Sequence, residues 1–170
     1  MKKTNSSLDL LINIDGASSG NPGPSGIGVI IKDVSDGQTI CELSEYHGEM
    51  TNNAIEYRAL IRALEYALIL RAGSVTIRSD SQLLVRQMTG EYRVKSPNIE
   101  PLYRWATDLA RVLDRVDFET VSRENNREAD ALAQQSLRGV RRRAGRAAAF
   151  PVPGGTGKEE SPNSAGREAR

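Results

Sequence analysis

Four acidic residues have the clearest capacity for chemistry in this sequence: Asp15, Glu56, Asp80 and Asp130. Each lies in a different predicted element, at a place where folding alone favours an apolar or uncharged residue. If the fold brings them together they form a dense negative cluster, in which the carboxylates repel and raise one another's pKa. Divalent cations would neutralise such a cluster. Oxygen ligands without cysteine or histidine select Mg²⁺ or Mn²⁺ rather than zinc.

Two of these acids are predicted to lie at the carboxyl ends of strands. Asp15 follows the run LDLLINI, and Asp80 follows VTIRS. Each also has an ordinary explanation, because Asp15 begins an Asp-Gly turn and Asp80 is placed to cap the next helix. Ligand sites of open α/β sheets gather outside the carboxyl ends of strands, so the joint position of the two acids favours a shared site.

The other two acids lie on predicted helices. Glu56 shares one helical stripe with apolar residues, so it belongs to the face that packs on the sheet. Its alternative role is a first-turn acid that completes a capping box with Asn53. Asp130 lies at the edge of an apolar stripe, and its alternative role is a surface acid paired with Arg127. The position of any one acid fits a structural role as well as a functional one, whereas the four acids together favour a metal site.

The hydrophobic pattern predicts an α/β protein with a mixed sheet. Turn sequences separate three β-branched runs, which indicates an antiparallel meander. A later strand, helix, strand succession requires a crossover and at least one parallel pair. The predicted elements are strands at 8–15, 26–33, 38–46, 75–80 and 116–121, and helices at 51–71, 81–89, 102–115 and 126–138. The fold class is therefore a five-stranded mixed sheet flanked by helices in the order βββαβααβα.

Length and composition fit one compact domain with two loosely structured ends. The chain has 170 residues, a net charge of +1 and no apolar run long enough to span a membrane. We find no secretory signal and expect a cytoplasmic protein that is monomeric by default. We predict a flexible segment at 1–7, a folded domain at 8–138, and a disordered tail at 139–170, first Arg-rich and then rich in Gly, Pro and Ser. The arginines are either a basic patch for phosphates or a solvated end.

Four motifs occur in order over residues 8 to about 138: DGASSGNPGP, TNNAIEYRAL, IRSDSQLLVRQ and SRENNREADALA. With them the chain strongly resembles type 1 ribonuclease H. The resemblance implies the ribonuclease H-like fold and a catalytic domain at 8–138. It also implies an endonuclease that hydrolyses the RNA strand of RNA/DNA hybrids and leaves 5′-phosphate and 3′-hydroxyl ends.

The resemblance also assigns roles to residues. It implies that the four acids are catalytic and hold two Mg²⁺ ions, and Mn²⁺ is expected to support activity as well. Candidates for hydrogen bonds to the 2′-hydroxyls of the RNA strand are Asn21, Asn52 and Gln82. Thr51, at a helix N-terminus, matches a residue that binds a phosphate of the DNA strand, with Asn53 assisting. No small-molecule cofactor beyond the metal is implied.

The sequence departs from some members of the family in two places. The loop before Asp130 lacks the histidine that some members carry, so Gly16, Arg123 and Glu124 are candidate auxiliary residues, the last two in place of that histidine. The basic protrusion of some members is also missing, and Tyr92, Arg93 and Lys95 are candidates to fill its role. The single histidine, His47, is predicted to be an exposed turn residue. Tyr103 and Trp105 are predicted to be packing residues.

Two other functions are compatible with this fold. One is a nuclease of the same fold that acts on a junction or on duplex RNA, and the other is a hybrid-binding module without catalysis. The TNN and DSQ sequences beside the acids argue against the first, and the presence of all four acids argues against the second.

Overall fold

The computed structural model describes residues 8–147, and its elements follow the predicted order. A short 3₁₀ helix, Arg123–Asn126, precedes the last α-helix. The elements are β1 (Leu8–Ser18), β2 (Gly23–Asp33), β3 (Thr39–Met50), α1 (Asn52–Ile69), β4 (Ala72–Ser79), α2 (Gln82–Met88), α3 (Glu100–Val112), β5 (Arg115–Thr120) and α4 (Arg127–Ala147). The predicted α/β class is confirmed.

The strands form one mixed sheet of five strands in the order β3-β2-β1-β4-β5. The first three strands pair antiparallel, whereas β1 with β4 and β4 with β5 pair parallel. The parallel pairing of β1 with β4 ends at Asn13 and Arg78. Asp15 and Asp80 each lie two residues beyond this last pair, so both acids lie at the same edge of the sheet.

Helix α1 covers one face of the sheet and forms the main core with it. Alternate residues of β1 point to this face, and Leu10, Ile12 and Ile14 are buried there. Leu60 and Leu64 of α1 are fully buried in the same cluster. Helix α3 packs on α1, which places α1 between the sheet and a second helix.

Helix α4 covers the opposite face, where small residues let it approach the sheet closely. A Cβ atom on Gly28 of β2 would lie 1.9 Å from the carbonyl oxygen of Ala129, so only glycine fits at this position. Ala17 of β1 and Ala133 and Leu137 of α4 form a second buried cluster between the sheet and the helix. The close contact of α4 with Gly28 sets the position of the first turn of the helix, which carries Asp130.

Several element boundaries differ from the prediction. Strand β1 continues past Asp15 to Ser18, because this extension pairs with β2 as far as Ser25. Helix α4 continues to Ala147 rather than ending near Arg138, since Arg and Ala are strong helix formers. The start of the predicted tail is therefore helical. The predictions of a flexible 1–7 segment and of disorder at 148–170 lie outside the described residues.

Two predictions about single side chains were wrong. His47 lies within β3 rather than in a turn, because β3 continues to Met50, and its Nε2 is 3.3 Å from Glu45 Oε2. Trp105 is 42% exposed, and its ring packs against the Arg58 guanidinium at 5.4 Å instead of entering the core. Tyr103 does pack partly against the core. No helix between residues 8 and 147 is long and apolar enough to cross a membrane.

Candidate active site

Three carboxylates converge at the edge where β1 and β4 separate. Asp15, Glu56 and Asp80 each offer one oxygen, and these oxygens lie within 4.8 Å of one another. Asp130 of α4 lines the same cleft, which has a volume of about 280 Å³. The structure thus brings together all four acids that the sequence singled out. The cleft is lined by Asp15, Gly16, Ala17, Ser18, Glu56, Asp80, Arg123, Asp130 and Gln134.

The environment of two of these acids disfavours their charged forms. Burial, followed by the charges of Asp80 and Asp130, raises the pKa of Asp15 to about 8. Burial, followed by the charges of Asp15 and Asp80, raises the pKa of Glu56 well above its ordinary value. The backbone of Gly16 lowers the pKa of both carboxyl groups and offsets only part of this effect. A bound cation would remove the repulsion that remains.

Glu56 provides a second sign of a cation site. Its Oε2 atom is shielded from solvent and is the buried side-chain atom without a hydrogen-bond partner among the described residues. Buried polar atoms in native proteins are almost always hydrogen-bonded. An unpaired carboxylate oxygen beside two other carboxylates therefore indicates a ligand site. The donor set contains oxygen alone, which fits a hard divalent cation such as Mg²⁺ or Mn²⁺.

Neither Glu56 nor Asp80 has the capping role that its position suggested. Ser81 caps α2, and its Oγ accepts from Leu84 N at 3.3 Å. Thr51 caps α1 through Ala54 N, also at 3.3 Å, so Glu56 lies beyond the first turn and forms no capping box with Asn53. Because other side chains cap the helices, both carboxylates are left to face the cleft.

Of the three candidate auxiliary residues, Gly16 and Arg123 line the acidic cleft, whereas Glu124 does not. Arg123 Nη2 lies 3.9 Å from Asp130 Oδ1, and its side chain is 79% exposed at the rim of the cleft. Among the described residues, Arg123 rather than Arg127 is the ion-pair partner of Asp130. Glu124 lines a separate cavity with Lys32 and Arg78. The structure therefore does not bring Glu124 to the acids.

A neighbouring cavity of about 360 Å³ gathers most of the predicted substrate-binding residues at the N-terminus of α1. Asn21 Oδ1 accepts from Asn52 N at 3.0 Å, which ties the loop between β1 and β2 to the start of the helix. The lining residues are Asn21, Thr51, Asn52, Asn53, Ser96, Asn98 and Ile99. Gln82, the first residue of α2, is exposed and lines neither this cavity nor the acidic cleft.

Comparison with known proteins identifies the family. A family model described as "Reverse transcriptase-like" matches residues 13–136. A crystal structure of RNase H1 from Halobacterium salinarum is 36% identical with a TM-score of 0.75, and the match covers 77% of this chain and 98% of that one. The chain belongs to the ribonuclease H family. This confirms the family that the four motifs indicated.

Two further ribonuclease H relatives are informative. The structure of LC11-RNase H1 in complex with an RNA/DNA hybrid is 39% identical with a TM-score of 0.74, and covers 78% of this chain and 99% of that chain. The "Bifunctional protein Rv2228c" of Mycobacterium tuberculosis is 37% identical over 159 residues, which are 94% of this chain. The match spans only 43% of the length of that mycobacterial protein.

Sequence reasoning overlooked several residues of this ribonuclease H domain. Ser96 and Asn98 reach the cavity at α1 from the segment that joins α2 to α3. The same segment brings Arg93 and Lys95, which the sequence analysis did name, to a third cavity of about 250 Å³ that Glu56 also lines. The run RVKSPN has no periodicity, so nothing in the sequence indicated that it folds back onto α1.

Proposed function

We propose that this protein is a ribonuclease H that hydrolyses the RNA strand of RNA/DNA hybrids. The observation that carries the proposal is the convergence of the Asp15, Glu56 and Asp80 oxygens within 4.8 Å in a chain of this family. The hybrid bound by the LC11 relative supports this choice of substrate.

The residues present fit two divalent cations, with Mg²⁺ as the expected ion and Mn²⁺ as a substitute. Asp15, Glu56 and Asp80 would hold them, and Asp130 would complete the set from the α4 side of the cleft. When bound, such ions supply the positive charge that activates a water molecule and stabilises the departing 3′ oxygen. The expected products carry 5′-phosphate and 3′-hydroxyl ends.

Arg123 has a supporting role in this proposal. A guanidinium has N–H donors and no acceptor, so it cannot take a proton as a loop histidine would. It instead places a fixed positive charge beside Asp130, 3.9 Å away, where it can attract the phosphate of the substrate or product. Glu124 is acidic and lines a different cavity, so we assign it no part in this role.

Recognition of the hybrid requires contacts that distinguish its two strands. We assign Asn21, Asn52 and Gln82 to the 2′-hydroxyls of the RNA strand, which the DNA strand lacks. The cavity at the N-terminus of α1 suits a phosphate of the DNA strand, because the positive end of the helix dipole lies there and attracts anions. Thr51 and Asn53 would hold this phosphate, and Asn98 lines the same cavity.

A substrate panel tests the proposal. The protein is incubated with labelled RNA/DNA hybrid, duplex RNA, duplex DNA and a four-way junction, each with Mg²⁺, Mn²⁺ or EDTA. We expect cleavage of the RNA in the hybrid alone, and only with metal. Cleavage of the junction or of duplex RNA instead would identify another nuclease, and binding without cleavage would identify a hybrid-binding module.

Matched variants connect that activity to the site. Asp80→Asn removes one carboxylate of the cluster, and Asp117→Asn removes one from the exposed β5, where Asp117 pairs with Arg115 at 2.8 Å. We expect cleavage to be lost in the first variant and retained in the second. Full activity of Asp80→Asn would refute the assigned role.

A further inference from the structure

Asn126 is a buried polar residue outside the acidic cleft, and both the nitrogen and the oxygen of its amide bond to β1. It lies at the end of the 3₁₀ helix before α4 and is 1% exposed. Its Nδ2 donates to the carbonyl of Ile14 at 2.9 Å, and its Oδ1 accepts from Asn13 Nδ2 at 3.0 Å. A buried amide with both ends paired to one strand is a specific link between two elements.

The link lies directly beside two residues of the site. Ile14 precedes Asp15 on β1, and Asp130 follows Asn126 at the fourth position, about one helical turn along. Arg123 lies in the same 3₁₀ helix as Asn126. The two hydrogen bonds therefore join the segment that carries Asp130 and Arg123 to the strand that carries Asp15.

The docking of α4 as a whole does not depend on this link. Ala133 and Leu137 of α4 are buried with Ala17 of β1, and Ser44 Oγ donates to the Leu132 carbonyl at 2.7 Å. Lys32 Nζ also pairs with Glu128 Oε2 at 2.7 Å. These contacts hold the body of α4 on the sheet, whereas Asn126 holds the backbone at its very start.

We propose that Asn126 is a positioning residue for the metal site, fixing Asp130 and Arg123 relative to Asp15. This inference rests on the proposed function. An amide is required because one side chain must both donate to Ile14 and accept from Asn13. An ionised aspartate cannot donate to Ile14, and leucine would remove both bonds to β1.

The test compares Asn126→Ala with Asn125→Ala, a change at the exposed neighbour in the same 3₁₀ helix. Steady-state cleavage of an RNA/DNA hybrid gives kcat and KM, and calorimetric titration with Mn²⁺ alone reports the metal site without substrate. For Asn126→Ala we expect kcat and Mn²⁺ affinity to fall by about 10- to 100-fold, as for other residues that orient metal ligands. KM for the hybrid should stay close to that of the wild type, and Asn125→Ala should match the wild type throughout.

Two more variants keep the test decisive if Asn126→Ala folds poorly. Asn13→Ala removes only the bond to Oδ1 and should give a smaller loss, whereas Asn126→Asp loses the donor to Ile14 and should resemble Asn126→Ala. All comparisons are made below the melting temperature of each variant, measured by circular dichroism. Folded Asn126 variants with wild-type kcat and wild-type Mn²⁺ affinity would overturn the proposal.

The outcomes separate this proposal from the proposed function. If the wild type fails to cleave the hybrid, the proposed function fails. The Mn²⁺ titration then still tests the positioning role, because weaker binding in Asn126→Ala but not in Asn125→Ala supports it without any substrate. Equal Mn²⁺ binding in the two variants would overturn it.

Discussion

Gly16 and Glu56 are in backbone contact across the junction of β1 and α1. A Cβ atom on Gly16 would lie 2.8 Å from the Glu56 nitrogen and 2.9 Å from the Ile55 carbonyl carbon. Both distances are too short for a side-chain carbon, so the absence of a side chain at this position lets the helix rest directly on the strand. The contact brings the Glu56 carboxylate beside that of Asp15.

Replacing this glycine should therefore damage both fold and site. We expect Gly16→Ala to lower the free energy of unfolding by about 1–3 kcal/mol, because the added methyl overpacks the junction. It should also lower kcat, because α1 moves away from β1. Urea denaturation and hybrid cleavage measure the two effects. The control is Gly139→Ala in α4, where a Cβ meets nothing within 4 Å and should stabilise the helix by about 0.5–1 kcal/mol. A neutral Gly16→Ala would show that the junction can relax.

Stability without metal should depend on pH through Asp15. Its pKa in the folded protein is raised from 3.8 to about 8, so between these values the folded state holds a proton that the unfolded state releases. Stability from this group therefore falls as pH rises through that window and is lowest above about pH 8.

Asp15→Asn has no charge to bury, so its melting temperature in EDTA should exceed that of the wild type increasingly from pH 5 to pH 8.5. Each kcal/mol of difference in the free energy of unfolding shifts the melting temperature by roughly 4 °C. A difference that does not change with pH would contradict the assignment, and cleavage by Asp15→Asn should be undetectable.

Removal of metal should abolish activity and lower stability reversibly. EDTA should stop cleavage, and added Mg²⁺ or Mn²⁺ should restore it, because the cluster of carboxylates needs counter-ions. A cation present at about 100 times its dissociation constant adds about 2.7 kcal/mol to the stability of the folded state. Thermal melts with and without Mg²⁺ measure this gain. In Asp80→Asn the gain should shrink, whereas in Asp117→Asn it should match the wild type. An equal gain in all three proteins would place the cation elsewhere.

Thr51 should contribute to both stability and substrate binding. Its Oγ1 caps α1 by accepting from Ala54 N at 3.3 Å, so Thr51→Ala should cost about 1 kcal/mol of stability. Because the same residue lines the cavity proposed for a DNA phosphate, KM for the hybrid should also rise. Thr51→Ser keeps the hydroxyl and should behave like the wild type in chemical denaturation and in cleavage. A Thr51→Ala variant with lower stability but unchanged KM would restrict the residue to capping.

The sequence allowed the order of elements and the positions of the acids to be predicted, since both depend on local patterns. β-Branched runs marked the strands, and the parallel pair followed from the strand, helix, strand order. Local sequence patterns did not identify the residues that position the elements against one another. No sequence pattern marked Gly28 as the contact for α4, and none marked Asn126 as a residue that bonds to β1. Such roles depend on contacts between distant parts of the chain, which periodicity does not report.

The exact limits of elements were also beyond local reasoning. β1 continues past Asp15 because β2 pairs with its extension as far as Ser18, and that pairing depends on how the two strands align. Trp105 has the spacing of a core residue on α3, yet Arg58 of the neighbouring helix meets it at the surface. Both differences arise from tertiary neighbours that override the local signal.

The four acids are spread from Asp15 to Asp130, and the last of them arrives on α4, the final described element. During synthesis, a ribosome-bound chain that has emerged only as far as β5 already carries three of the carboxylates but lacks the fourth. Competence to cleave hybrids would then be acquired late in translation, when α4 settles onto Gly28.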